Sequence, residues 1–150
     1  MRGELLKRYD RFKKAINLLE ELSRRDYREI MEDYILLSSL ERNIQVAVEF
    51  LIDLSNYILA ETTGETPDTY KDIVSRVGKL CNIDDQLIRE IRGIVGLRNI
   101  IVHLYADIDY ELVLGELKDI VNNMFKFVSE LLQCINRLEL DPRETSTQPL

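Results

Sequence analysis

The chain has no tryptophan, one histidine, two cysteines, three prolines and six glycines among 150 residues. Each scarcity excludes something. One histidine and two distant cysteines cannot make a zinc set. The plentiful carboxylates fall in no loop with calcium-binding spacing, so neither a metal site nor a cofactor is expected. Cys81 and Cys134 sit in apolar contexts without a CxxC partner, which predicts two reduced, buried thiols instead of a disulfide or redox pair. Few helix breakers, with abundant Leu, Ile, Glu, Lys and Arg, lean towards an all-helical chain. No run approaches the roughly 18 uncharged apolar residues of a membrane-spanning helix. The first ten residues are charged from the outset and lack a signal-peptide core. A cytoplasmic protein with no membrane partner is expected.

Basic charge is also in short supply. The net charge of −7 argues against broad wrapping of nucleic acid or stable DNA binding, which need an extended basic surface. The distribution is uneven, however. Residues 1–14 carry Arg2, Lys7, Arg8, Arg11, Lys13 and Lys14 against Glu4 and Asp10, and residues 76–103 also carry a basic excess, whereas 105–141 is acidic. Local binding of a short RNA is compatible with this pattern.

Apolar residues recur at helical spacing in five segments, about 3–24, 27–60, 69–80, 83–104 and 109–138. The second is the longest. Its apolar stripe, Leu37, Leu40, Ile44, Ala47, Val48, Leu51, Ser55 and Ile58, runs beside a polar one, Ser38, Arg42, Gln45, Glu49, Asp53 and Asn56. Gly64 and Pro67 end it. Thr69 or Asp68 is placed to cap the third segment, and Asn82 or Asp84 the fourth. No segment alternates with period two over a convincing length. The expected architecture is an all-α antiparallel bundle of about five helices, one domain over residues 1–140. Residues 141–150 are polar and expected to be a disordered tail.

The fourth segment holds the most informative residues. On an ideal helix Ile94, Leu97, Ile101 and Leu104 share a core face. Arg98 and Tyr105 lie at its margin, and His103 points nearly opposite Ile94, on the side of Asn99 and Gly96. Val95, Ile100 and Val102 extend the apolar area beyond the core stripe, which suggests a second buried face against another subunit. Gly93 and Gly96 either admit a close neighbour or are tolerated in a buried helix. Arg98 and His103, about 140° apart, converge on one phosphate only if the helix ends near residue 102 or if two chains share the site. Taken singly, each residue has a plainer reading: a hydrogen-bonded histidine, an arginine paired with Glu49 or Asp53, a tyrosine at a helix end. Taken together, a forked cation and an imidazole suit phosphodiester chemistry.

Arg98-Asn99-Ile100-Ile101-Val102-His103-Leu104-Tyr105 resembles the Arg-Asn-x-x-x-His-x-Tyr signature of the HEPN superfamily, in its HepT-like branch. The flanking Gly96-Leu97 and Asp107–Val113 agree, as do Leu40–Glu49, Ile52–Ile58 and Pro67–Tyr70 upstream. The resemblance covers about residues 3–138. It implies a homodimeric helical bundle acting as a metal-independent endoribonuclease toxin. Arg98 and His103 would be the catalytic pair and Asn99 a supporting polar residue. It further implies a partner, an MntA-like nucleotidyltransferase antitoxin, that attaches AMP to Tyr105. The alternative is a non-catalytic helical partner, or nucleotide-binding subunit, of a minimal nucleotidyltransferase.

Overall fold

The computed structural model describes residues 2–103 and 107–140. Seven helices and no strand occur among the described residues: α1 (Arg2–Ser23), α2 (Tyr27–Glu32), α3 (Tyr34–Thr62), α4 (Tyr70–Leu80), α5 (Asp85–His103), α6 (Tyr110–Gly115) and α7 (Leu117–Arg137). The expected tail, 141–150, lies outside them.

The long α3 is the central post, packed by α1, α2, α4, α5 and α7. That is why it buries Phe50, Ile52 and Leu54 in addition to the predicted stripe. Ser55, fully buried in that stripe, donates its hydroxyl to the Leu51 carbonyl at 2.7 Å, so no polar group is left unsatisfied there. α1 contributes Phe12, Ala15, Ile16, Leu19 and Leu22, and α7 adds Leu117, Met124, Phe127 and Leu131. Burying each such large side chain stabilises the fold by about 1.5–3 kcal/mol.

Two of the five expected helices are broken. The segment 27–60 divides at Asp33, whose backbone is extended (φ −119°, ψ 104°). Its carboxylate accepts the N–H groups of Ile35 and Leu36, at 2.9 and 3.4 Å. Aspartate competes for backbone donors in this way, so it starts helices better than it continues them. The segment 109–138 divides at Glu116 (φ −102°, ψ 4°), directly after Gly115. Apolar residues stand at helical spacing on both sides of each break, so periodicity does not report it.

The connections that place the site follow local chemistry. Thr69 caps α4 by accepting the Asp72 N–H at 3.1 Å. Asp84 accepts the N–H groups of Gln86 and Leu87 at the start of α5. Asn82 takes the left-handed conformation between them (φ 56°), which asparagine tolerates better than most residues. Gly78 lets α4 and α5 meet closely, since a Cβ there would lie 2.5 Å from Ile88 Cδ1 and 2.6 Å from its Cγ1. Among the described residues, Gly93 has nothing within 4 Å of a Cβ and Gly96 only the Lys71 side chain, so neither admits a neighbouring helix there.

The expectation of two reduced thiols is overturned. Cys81, at the C-cap of α4, is disulfide-bonded to Cys134 of α7, with Cα atoms 5.5 Å apart. Both are buried. The pair is 53 residues apart in sequence, and no spacing rule reveals such a partner. Among the described residues, no helix is long and apolar enough to cross a membrane.

A candidate active-site cleft

Arg98 sits in the penultimate turn of α5 with only 13% of its side chain exposed. A guanidinium that deep needs partners, and three elements supply them. From α3, Glu49 accepts its Nη2–H at 3.1 Å. From α4, the Tyr70 ring lies beneath it, 4.9 Å from Cζ to the centroid, a cation–π contact. From α5 itself, Asn99 Oδ1 accepts Nη1–H at 3.1 Å. Gln45 lies one turn before Glu49 and donates to the same carboxylate oxygen at 2.9 Å. The chain of groups Gln45–Glu49–Arg98–Asn99 thus fixes the plane of the guanidinium. Its Nε–H is buried with no acceptor among the described residues.

α4 and α5 are held in register around this point. Arg92 donates to the Lys71 carbonyl at 2.9 Å and to the Ser75 hydroxyl at 2.6 Å. Tyr70 is therefore fixed under Arg98 by a contact one and a half turns away on α5.

Arg98, Asn99 and His103 border one cleft of about 420 Å³, together with Thr69, Tyr70 and Ile100. Such a volume is within the range of small-ligand sites. His103 is the last described residue of α5 and is exposed. α5 stays helical through it, so the unwinding considered from sequence does not occur before residue 103, yet one cleft touches both it and Arg98. Tyr105 lies outside the described residues. Ile94, Val95 and Ile101 face the core, whereas Ile100 and Val102 are each 37% exposed. The predicted two-sided apolarity of this helix holds for those two residues and fails for Val95, which is fully buried.

A second depression of about 430 Å³ adjoins the cleft, and Arg98 and Tyr70 line both. Its other walls include Arg8 and Arg11 of α1 with Arg42, Glu49, Phe50 and Asp53 of α3. Asp53 pairs with Arg8. Burial pushes the Asp53 carboxyl above its ordinary range, opposed by Arg8 and reinforced by Glu49 one turn away. Sequence reading left open whether Glu49 or Asp53 partners Arg98. The fold decides for Glu49, because Asp53 faces α1. In the sequence Tyr70 stands out only as part of a turn, and Gln45 and Arg42 only as members of the polar stripe and of the Leu40–Glu49 segment. The three-to-four spacing of that stripe was an available signal for them.

Comparison with known proteins supplies the family. The HepT-like family, described as ribonuclease HepT-like, matches residues 12–131. A tRNA nuclease HepT from Aphanizomenon flos-aquae is 32% identical over 109 residues, 72% of this chain and 69% of that protein. An mRNA nuclease HepT from Shewanella oneidensis is 25% identical over 103 residues, 69% and 77% of the two chains. The fold is that of a solved tri-AMPylated Shewanella oneidensis HEPN toxin in complex with its MNT antitoxin, with a TM-score of 0.77 at 22% identity over 86% of this chain and 96% of that one. From the extent of the family match and the 32% identity to a HepT nuclease, this chain belongs to the HepT-like ribonuclease family.

Proposed function

We propose that this protein is the ribonuclease toxin of a toxin–antitoxin pair, a metal-independent endonuclease that cuts RNA by attack of the neighbouring 2′-OH. The observation that carries the reading is the cleft on which a clamped, largely buried arginine and an accessible histidine both open. Support comes from the family match and from the relatives named as RNA nucleases.

The reaction needs a base, a cation and an acid. Neutral His103 takes the 2′-OH proton as 2′-O bonds to phosphorus and the P–O5′ bond breaks. Arg98 pairs with the non-bridging oxygens as charge builds on the phosphorane, and Asn99 holds the guanidinium plane. The products are a 2′,3′-cyclic phosphate and a 5′-OH. One imidazole cannot be base and acid at once, so the leaving oxygen takes its proton from the partner subunit's His103 in a homodimer. The exposed Ile100 and Val102 on the same helix are the natural centre of that interface. Sedimentation should give a dimer at micromolar concentration, and a monomer would remove the shared site.

Regulation follows the same logic. An MntA-like nucleotidyltransferase antitoxin transfers AMP from ATP to the Tyr105 hydroxyl, two residues beyond the base in sequence, with release of pyrophosphate. The added phosphodiester competes with the substrate phosphate for Arg98. A solved toxin–antitoxin complex of the same fold whose toxin is tri-AMPylated supports AMP attachment as the mode of regulation. The proposed setting is cytoplasmic. The Cys81–Cys134 bridge, with 4% and 1% exposure at its ends, is shielded there from reductant.

The test is incubation of the purified protein with total RNA in EDTA, followed by analysis of product ends. Cleavage with cyclic phosphate ends is expected, DNA being spared for want of a 2′-OH. The rate should fall about 10²–10⁴-fold in His103→Ala. Equal cleavage by that variant would refute the assignment.

A further inference from the structure

We propose that the arginine-lined groove between α1 and α3 is a second phosphate subsite, which takes the RNA backbone phosphate next to the scissile one. This rests on the ribonuclease reading above and deepens it.

Four guanidinium groups, Arg8, Arg11, Arg42 and Arg98, line the groove against two carboxylates, Glu49 and Asp53. Both carboxylates are already engaged, Glu49 by Arg98 and Gln45, Asp53 by Arg8. No ion pair or hydrogen bond engages the Arg11 or Arg42 side chain among the described residues. The groove therefore keeps a surplus of two positive charges, carried by two forked donors, in a protein whose net charge is −7. Such a local reversal of sign attracts an anion of matching size and little else. The guanidinium fork suits the paired oxygens of a phosphate.

Continuity says which anion. Arg98 and Tyr70 form the wall shared by groove and cleft. A ligand in the groove is thus linked through Arg98 to whatever occupies the cleft. A polymer of phosphates satisfies both at once, and a single free phosphate does not. Tyr70 adds aromatic surface at the shared wall, and aromatic rings beside basic grooves are what single-stranded nucleic acid uses.

The experiment pairs binding with turnover. Affinity for a fluorescent RNA octamer is measured against salt by anisotropy in the His103→Ala background, with and without Arg11→Ala and Arg42→Ala. Each phosphate contact on a single strand contributes about 0.7 to the slope of log K against log salt, so the double substitution, which removes one phosphate contact, should flatten it by roughly 0.7. With His103 intact, the double substitution should raise KM for the octamer roughly tenfold or more. The kcat should be unchanged, as should cleavage of a dinucleotide, which has no second phosphate. Arg11→Lys with Arg42→Lys should recover the slope but only part of the affinity, because the charge returns without the fork. If the wild type cleaves and the Ala double variant, with an unchanged melting temperature, matches it in slope and KM, the groove proposal alone is overturned. If the wild type neither binds nor cleaves RNA, the ribonuclease reading fails and the groove falls with it.

Discussion

Arg98 owes its orientation to contacts that a lysine cannot reproduce. Its fork meets Glu49 and Asn99 at once while its flat face rests on Tyr70. A lysine keeps the charge but offers a point donor without a planar face. Arg98→Lys should therefore stay folded and lose about 10²–10³-fold in RNA cleavage, the typical effect of removing one aimed donor from a developing oxyanion. A variant as fast as wild type would show that charge alone suffices. Tyr110 offers a separate check. Its hydroxyl donates to Glu41, and burial, then that bond, push the phenol up to about 12. The folded state holds this proton more tightly than the unfolded chain, whose tyrosine titrates near 10. The associated stability is present in full below about pH 10 and is lost as pH rises from 10 towards 12. Difference absorbance of phenolate should show one tyrosine titrating late, and Tyr110→Phe should remove that step.

The helices α4 and α5 act as a pair. α4 brings Tyr70 to the site, and the pair is locked by Arg92 at one end and by the Gly78–Ile88 contact at the other. Ile88 is buried and part of the core, so it has little room to retreat. Gly78→Ala gains helix propensity yet forces the two helices apart. Overpacking of this kind costs about 1–3 kcal/mol, and the balance should be net destabilisation in urea. It should also weaken cleavage, since Tyr70 shifts from beneath Arg98. A stabilised Ala variant would mean that Ile88 repacks freely. At Gly93, where no neighbour approaches, the same substitution should raise stability through propensity alone.

Across the whole molecule, the Cys81–Cys134 bridge ties the end of α4 to the last turn of α7. Arg137 reinforces the junction by donating to the Cys81 carbonyl at 3.2 Å. Closing a loop of this length restricts the unfolded chain by about 4 kcal/mol in the loop-entropy estimate. Cys81→Ser with Cys134→Ser should lower unfolding stability by up to that amount. The site lies at the opposite end of α4, so cleavage by the folded variant should stay near wild type. Denaturant curves of the wild type and the double variant supply the measurement, and coincident curves would show that the bridge contributes nothing.

The periodicity of apolar residues determined the helical segments but not the breaks at Asp33 and Glu116. Local sequence narrowed the cap of α4 to Thr69 or Asp68 and that of α5 to Asn82 or Asp84, because both signals depend on neighbours within four residues. The Arg98–Tyr105 motif and the polar stripe of α3 were likewise legible, as was the margin position of Arg98 on its helix. Helical phase names the face a side chain occupies and is silent on what lies opposite. Glu49 as the partner of Arg98, Tyr70 beneath it, the pairing of Cys81 with Cys134 and the meeting of Arg8, Arg11 and Arg42 in one groove were therefore decided by packing alone. Each joins positions tens of residues apart, and their distances are set by how α1, α4, α5 and α7 lie against α3. A close contact such as Gly78 on Ile88 fixes those placements, and it is a property of two surfaces that no local pattern encodes.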